Sequence, residues 1–267
     1  MAMAPMGTAS FGVGKVLSDT FQVFRIALVP LLLVMGGVTF VTSLITVAIG
    51  GGAALVGGGE MSDGAQAIFT IVTVALLVIA FGASVLIAFE AGHGRAVSIA
   101  NCLTAASRQF IPMIVLGLVF YVVLVFLLML VIVPGLWIMG VWAVTVPAIM
   151  IEGRGFGSLG RSADLTKGYR WPVIGTMILV QLIVGAVLFG TIGVVYAILG
   201  ISFEDVLSGA LAFMEAPGMS AIITVVVIQA VFNGLSYALF TALLVAIFMR
   251  LKDLKDGGGA GVAEVFN

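Results

Sequence analysis

Apolar residues run uninterrupted by charge through six stretches of the chain: 26–50, 67–89, 111–133, 136–151, 172–200 and 219–249. None of them contains Asp, Glu, Lys, Arg or His. Crossing the hydrocarbon layer of a bilayer, about 30 Å thick, takes about 20 apolar residues at a helical rise of about 1.5 Å each. Five runs exceed that length, and the shorter 136–151 depends on Glu152 and its neighbours reaching the interface. Lipid offers the backbone no hydrogen-bond partner, so each run is expected to be a helix. The ten-residue alternation of a membrane barrel is absent. The pattern predicts an all-α polytopic membrane protein with six transmembrane helices over 1–255. A flexible cytoplasmic tail is expected over 256–267, where three glycines follow Asp256.

The polar stretches between the runs divide by sign. Lys15 and Arg25 precede the first run, and Arg95 and Arg108 lie between the second and third. Arg154, Arg161, Lys167 and Arg170 lie between the fourth and fifth, and Arg250, Lys252 and Lys255 follow the sixth. These are all 11 basic residues of the chain. The alternate gaps hold only acids, Glu60 and Asp63 in one and Glu204, Asp205 and Glu215 in another, with a bare Pro134-Gly135 turn between the third and fourth runs. Basic residues stay on the cytoplasmic side, so both termini are expected inside, in a bacterial inner membrane. The Gly-rich stretch 50–59 is then an outside loop. No basic residue precedes Lys15, and the first run is too long for the core of a cleavable signal.

A repeat emerges when the basic gaps are aligned. A half-polar segment ending in arginine precedes the first, third and fifth runs, with a proline soon after: Arg25 and Pro30, Arg108 and Pro112, Arg170 and Pro172. Proline fits the first turn of a helix, where its missing N–H would be unpaired anyway. Each preceding segment has an apolar stripe at helical spacing. The stripe is Phe11, Leu17, Phe21 and Phe24 in 11–24, and Cys102, Leu103, Ala106 and Phe110 in 98–110 behind a Ser98 cap. In 156–168 it is Phe156, Leu159 and Ala163, with Gly168 at the helix end. Three elbow helices, each leading into a two-helix hairpin, are expected.

Composition narrows the function. The chain of 267 residues is 62% hydrophobic and 9% charged, whereas a soluble domain carries about 25% charged residues. Soluble enzymes and disordered proteins are poor readings, and a net charge of −1 gives no field to hold nucleic acid. No titratable group lies within a run, which disfavours a proton relay, an ion-coupled carrier or a voltage sensor. The single cysteine, Cys102, and the single histidine, His93, share one gap, but nothing near them completes a catalytic set or a zinc site. No catalytic residue, cofactor or metal is therefore expected. Two polar groupings remain. Gln229, Asn233, Ser236 and Tyr237 recur at helical spacing on the last run, with Gln181 and Tyr196 on the fifth. They suit either a solute path or interhelical hydrogen bonds beside small residues such as Gly185, Gly190 and Gly193. The third elbow gathers Arg154, Arg161, Lys167 and Arg170, with Ser162 and Thr166. These suit an anionic lipid headgroup, or Arg161 pinning the elbow on Asp164 or Glu152.

The stretch 132–172 carries a further pattern: Pro134-Gly135, Pro147, Glu152, then Leu159, Arg161, Ser162, Leu165, Thr166 and Gly168 before Trp171-Pro172. It resembles the bacterial family of the glycerophosphoryl diester phosphodiesterase membrane domain and its stand-alone relatives. The resemblance implies a six-helix membrane domain. It transfers no catalytic residue, because no barrel domain follows the last run. The expected role is a non-enzymatic scaffold, binding protein or accessory subunit contacting membrane lipids or another membrane protein. The alternative is a carrier or permease subunit for an apolar or lipid-like solute, using the polar stripe on the last run.

Overall fold

The computed structural model describes residues 11–50, 62–199, 204, 208 and 219–265, and omits the side chains of 187, 188, 191–199, 221 and 257–265. The expected outer loops, 51–61 and most of 200–218, fall outside the described residues, as do the side chains of Gly193 and Tyr196. The described residues form helices and turns with no strand. The helices are α1 (Val13–Leu31), α2 (Gly37–Gly50), α3 (Asp63–Gly92), α4 (Ile99–Arg108), α5 (Phe110–Leu130), α6 (Ile132–Val141), α7 (Thr145–Glu152), α8 (Ser158–Thr166), α9 (Arg170–Leu199) and α10 (Met219–Val265). Among the described residues five stretches are long and apolar enough to cross a membrane: Val13–Gly50, Asp63–Gly92, Phe110–Leu130, Ile132–Glu152 and Ile222–Asp256. A sixth crossing results if Gly155–Thr166 and Arg170–Ala186, bent by 100°, count as one broken span. Large apolar side chains on α5, such as Leu118, Phe126 and Met129, stand exposed, as a lipid-facing helix requires. The chain is a multi-pass α-helical membrane protein.

The second and third elbows are separate helices. In α4, Ser98 accepts a hydrogen bond from the Asn101 N–H as N-cap, and Cys102 and Ala106 are buried. Pro112 and Pro172 sit at the third positions of α5 and α9, where the missing N–H has no helical partner to lose. The first elbow is absent. Residues 11–24 do not form a helix apart from the first span; Val13–Gly50 is one helical course of 38 residues. Pro30 lies inside α1, and the chain answers it with a π-helical segment, Leu32–Gly36, before α2 resumes. A proline ring crowds the carbonyl four residues earlier, and widening the helix relieves that pressure without a break. At about 1.5 Å per residue this course is about 57 Å long, so its lower part outreaches the hydrocarbon layer.

Two more expectations are corrected. The hairpin between the third and fourth spans turns at Val131, which is extended, while Pro134 and Gly135 lie in the first turn of α6. The fourth span is broken into α6 and α7 across Trp142–Val144. The last helix also continues to Val265, past the boundary expected at Lys255.

One end of the bundle gathers the basic residues. Arg250 donates to the Phe11 carbonyl at 3.0 Å, Lys252 approaches Glu152, and Lys255 lies over the Tyr169 ring. The core has two parts. In one, Ala83, Ile87 and Ala88 of α3 meet Leu31, Met35, Cys102 and Ile149. In the other, Leu243, Ile247 and Leu251 of α10 meet Phe11, Val16, Val144, Leu165 and Val173. Small residues on α3 allow close approach, which is how helices pack once the surrounding lipid is as apolar as their side chains. The tightest crossing is elsewhere: a Cβ on Gly36 would lie 3.1 Å from the Ala230 carbonyl oxygen, and one on Gly234 would lie 3.1 Å from the Gly36 Cα. Gly185 and Gly190, expected in that role, face open space.

Candidate functional site: a clasped break beside an apolar cavity

The break in the fourth span begins with Pro147, at the third position of α7. Proline offers no N–H to the Ala143 carbonyl and its ring clashes there, so α6 cannot run on into α7. The interruption strands backbone groups that lipid would leave unpaired at a cost of several kcal/mol each. The Thr145 N–H turns back to the Trp142 carbonyl at 3.2 Å, as does its hydroxyl at 2.8 Å. The Val141 carbonyl and the Val144 N–H are left over.

The elbow helix α8 supplies both partners. Ser162 Oγ donates to the Val141 carbonyl at 3.0 Å and accepts from the Val144 N–H at 3.2 Å. Thr166 Oγ1 lies 3.1 Å from the same Val141 carbonyl and 2.8 Å from the Ser162 carbonyl. The two residues are one helical turn apart on one face, and both are fully buried. Ser162 is thus not exposed to a headgroup. The buried face of α8 is Ser158, Ser162, Leu165 and Thr166. The expected stripe of Phe156, Leu159 and Ala163 does not describe it, because Phe156 points outward.

A charged clamp locks the same elbow. α7 stops at Glu152 because Gly153 adopts the left-handed conformation, with φ of 64°. Arg161 grips Glu152 with two bonds of 2.9 Å, Nε to Oε2 and Nη2 to Oε1. Paired bonds of this kind fix orientation as well as charge. Arg154 adds a 3.0 Å bond to Glu152, Lys252 stands 3.7 Å away, and Asp256 takes a further bond from Arg161. Of the two carboxylates expected to pin Arg161, Glu152 does so; Asp164 is exposed. Asp256, assigned to the tail, is part of the clamp.

The other basic residues of the elbow fare differently. Lys167 is exposed. Among the described residues Arg170 meets no acid: its guanidinium lies 4.3 Å from the centre of the Trp137 ring, and its buried Nε lacks a hydrogen-bond partner there. Cys102 donates to Glu90 at 3.6 Å, and its burial, reinforced by the Glu90 charge and bond, pushes the thiol up to about 11. A thiol so little ionised is a poor nucleophile. His93 contacts the Phe89 carbonyl at 2.8 Å and lies against the Phe89 ring. No group of three His, Cys, Asp or Glu that could hold a metal occurs among the described residues.

The break also walls a cavity, a feature that sequence reasoning missed. A space of about 430 Å³ lies between Phe81 of α3, Gly117 and Phe120 of α5, Trp142 at the break and Phe240 of α10. Close contacts flank it: Gly82 packs against Met113, which itself lines the space, and Gly135 packs against Leu128 at the hairpin. A second space of about 390 Å³, lined by Leu136, Ile174 and Gln181, adjoins it. Met139, Met177 and Phe240 line both. The polar stripe of the last span is divided. Ser43 Oγ donates to Gln229 Oε1 at 3.4 Å, and Asn233 Nδ2 donates to the Gln229 carbonyl at 3.0 Å within α10. Ser236 is half-buried, while Tyr237 lines the larger cavity. No family model, curated protein or solved structure matches the chain.

Proposed function

We propose that the chain is a non-enzymatic binding protein of the bacterial inner membrane, with both termini cytoplasmic, that houses one hydrocarbon chain of a lipid-like molecule within its helices. The observation that carries this reading is the cavity of about 430 Å³. Pockets for small ligands run from about 300 to 1,000 Å³ and are mostly apolar. If each chain carbon takes about the 30 Å³ of a liquid water, the space admits on the order of a dozen. The walls are aromatic rings and methionines, and methionine adapts to irregular apolar shapes. The gathering of basic side chains at one end supports the orientation, and the resemblance over 132–172 supports a bacterial membrane-domain family.

Gly117 provides the test. It lines the cavity, and a Cβ built on it meets nothing within 4 Å, so a side chain can start there without a clash at its root. Purified protein in mild detergent should bind radiolabelled hexadecanol saturably, at one site per chain. Gly117→Phe should abolish that binding while thermal unfolding stays within a few degrees of the parent. Undiminished binding by a folded Gly117→Phe protein would refute the cavity as the site.

A further inference from the structure

We infer that the ligand is an anionic single-chain amphiphile whose oxyanion is held by Arg170 over Trp137, at the rim of the second cavity. This rests on the hydrocarbon-binding reading and adds the head to the tail. The four basic residues of the third elbow are used differently. Arg154 and Arg161 are paired with carboxylates, and Lys167 is exposed. Arg170 is half-buried, stacked on an indole, and has no acid partner among the described residues. A partly buried cation without a counter-charge is costly, whereas a bound anion would supply one. Guanidinium offers five N–H donors in a planar fork that matches phosphate and carboxylate oxygens, and stacking on an aromatic face leaves the edges of that fork free.

The surroundings connect this head site to the tail site. Trp137 directly follows Leu136, and Arg170 stands one turn before Ile174; Leu136 and Ile174 both line the second cavity. α6 approaches α9 closely because residue 140 is glycine: a Cβ there would lie 2.8 Å from the Ile174 side chain and 3.2 Å from the Arg170 carbonyl oxygen. Trp137 is 41% exposed, so the stacked pair is reachable from outside the bundle. Beyond Leu136 and Ile174, Met139, Met177 and Phe240 form the partition with the larger cavity. A chain entering beside Arg170 and displacing the two methionine side chains would run into the space under Trp142. The recognised chemistry is a terminal oxyanion on one hydrocarbon chain, from a phosphate monoester or a fatty carboxylate.

Competition against radiolabelled hexadecanol separates the arms. Hexadecyl phosphate or hexadecanoate should displace it at least tenfold better than unlabelled hexadecanol, and inorganic phosphate should not compete. Arg170→Gln should erase that preference yet still bind hexadecanol. Arg170→Lys, which keeps the charge but loses the fork and the stack, should retain part of it. Equal displacement by alcohol and anions in the parent protein would overturn the inference, as would full anion preference in Arg170→Gln. If Arg170→Gln does not fold, Trp137→Leu tests the same pair and should cut the preference several-fold. Displacement by inorganic phosphate would point to a free-anion site and also refute the proposal. Loss of hexadecanol binding in Gly117→Phe, with anion preference absent from the parent, would leave the cavity reading intact and remove only the head site.

Discussion

Two spans of this protein contain a proline where a straight helix would be simplest, and they resolve it in opposite ways. After Pro30 the first span widens into the π-helical segment Leu32–Gly36 and continues, its hydrogen bonds still closed within the helix. Ahead of Pro147 the fourth span stops, and its stranded Val141 carbonyl and Val144 N–H are met by Ser162 and Thr166 of α8. The first solution needs no hydrogen-bond partner beyond the helix itself. The second makes the elbow obligatory, since a break in lipid survives only where other protein groups satisfy it. It also turns backbone into cavity wall, because Trp142 and Thr145 line the larger space. A break repaired from outside can therefore turn its own broken backbone into a site wall, whereas the π segment lends that cavity only Met35 from an unbroken helix.

The largest effect expected from this contrast is at the clasp. Replacing Ser162 and Thr166 together, as Ser162→Ala with Thr166→Val, adds no bulk and leaves two buried backbone groups unpaired. At about 1–3 kcal/mol each, the loss should be about 2–6 kcal/mol. Thermal unfolding in detergent should show it as a lowered midpoint. Thr166→Val alone should cost less, because Ser162 still donates to the Val141 carbonyl. A double variant as stable as the parent would mean that the break is satisfied in another way.

The legible part of this architecture followed from lipid as solvent. Uncharged runs of sufficient length placed the membrane helices, and the Ser98 cap placed the start of α4. The first elbow was misread because Phe11, Leu17 and Phe21 recur equally well on a separate amphipathic helix and on the lower part of a long one. Nothing local distinguishes the two; the difference lies in packing against α10, where Phe11 meets Arg250. In the sequence Pro147 stands out only as one position of the 132–172 pattern, because one proline in a short run fits a helix end as well as a break. Arg161, Ser162 and Thr166 were singled out from the sequence as a group. Their partners, Glu152 and the Val141 carbonyl, were not all legible. Glu152 is nine residues away and was considered, whereas a free carbonyl has no signature in side-chain chemistry. The cavity depends on how the helices meet in space, and contacts such as Gly82 against Met113 are invisible to periodicity.

The widened turn of the first span makes a second, intermediate prediction. Gly36 ends the π segment against α10, where an added Cβ would lie 3.1 Å from the Ala230 carbonyl oxygen. Backbone cannot step aside as a flexible side chain can, so Gly36→Ala should force the helices apart at about 1–3 kcal/mol, the usual cost of overpacking. Thermal unfolding measures this. Hexadecanol binding should be largely retained, because Gly36 is not part of the cavity wall. If Gly36→Ala were neutral, the crossing would be looser than its geometry indicates, and the π segment would have no packing role.

The smallest effect should come from the proline that marks the first interruption. Pro30→Ala supplies a new N–H, which can bond the Ile26 carbonyl and gain about 0.5–1.5 kcal/mol. It also frees the unfolded chain, which loses about 0.4–1 kcal/mol of the advantage that a fixed proline φ confers. These terms oppose one another, so the net change should stay within about 1 kcal/mol of either sign. The Gly36–Gly234 crossing, set by contacts with α10, holds the widened turn in place whether or not the proline is present. Unfolding midpoints of Pro30→Ala and the parent should therefore agree within a few degrees, far closer than for the clasp double variant. A loss as large as that of the clasp would show that the first span, too, depends on its proline for a structure it cannot otherwise hold, and the distinction between the two repairs would fail.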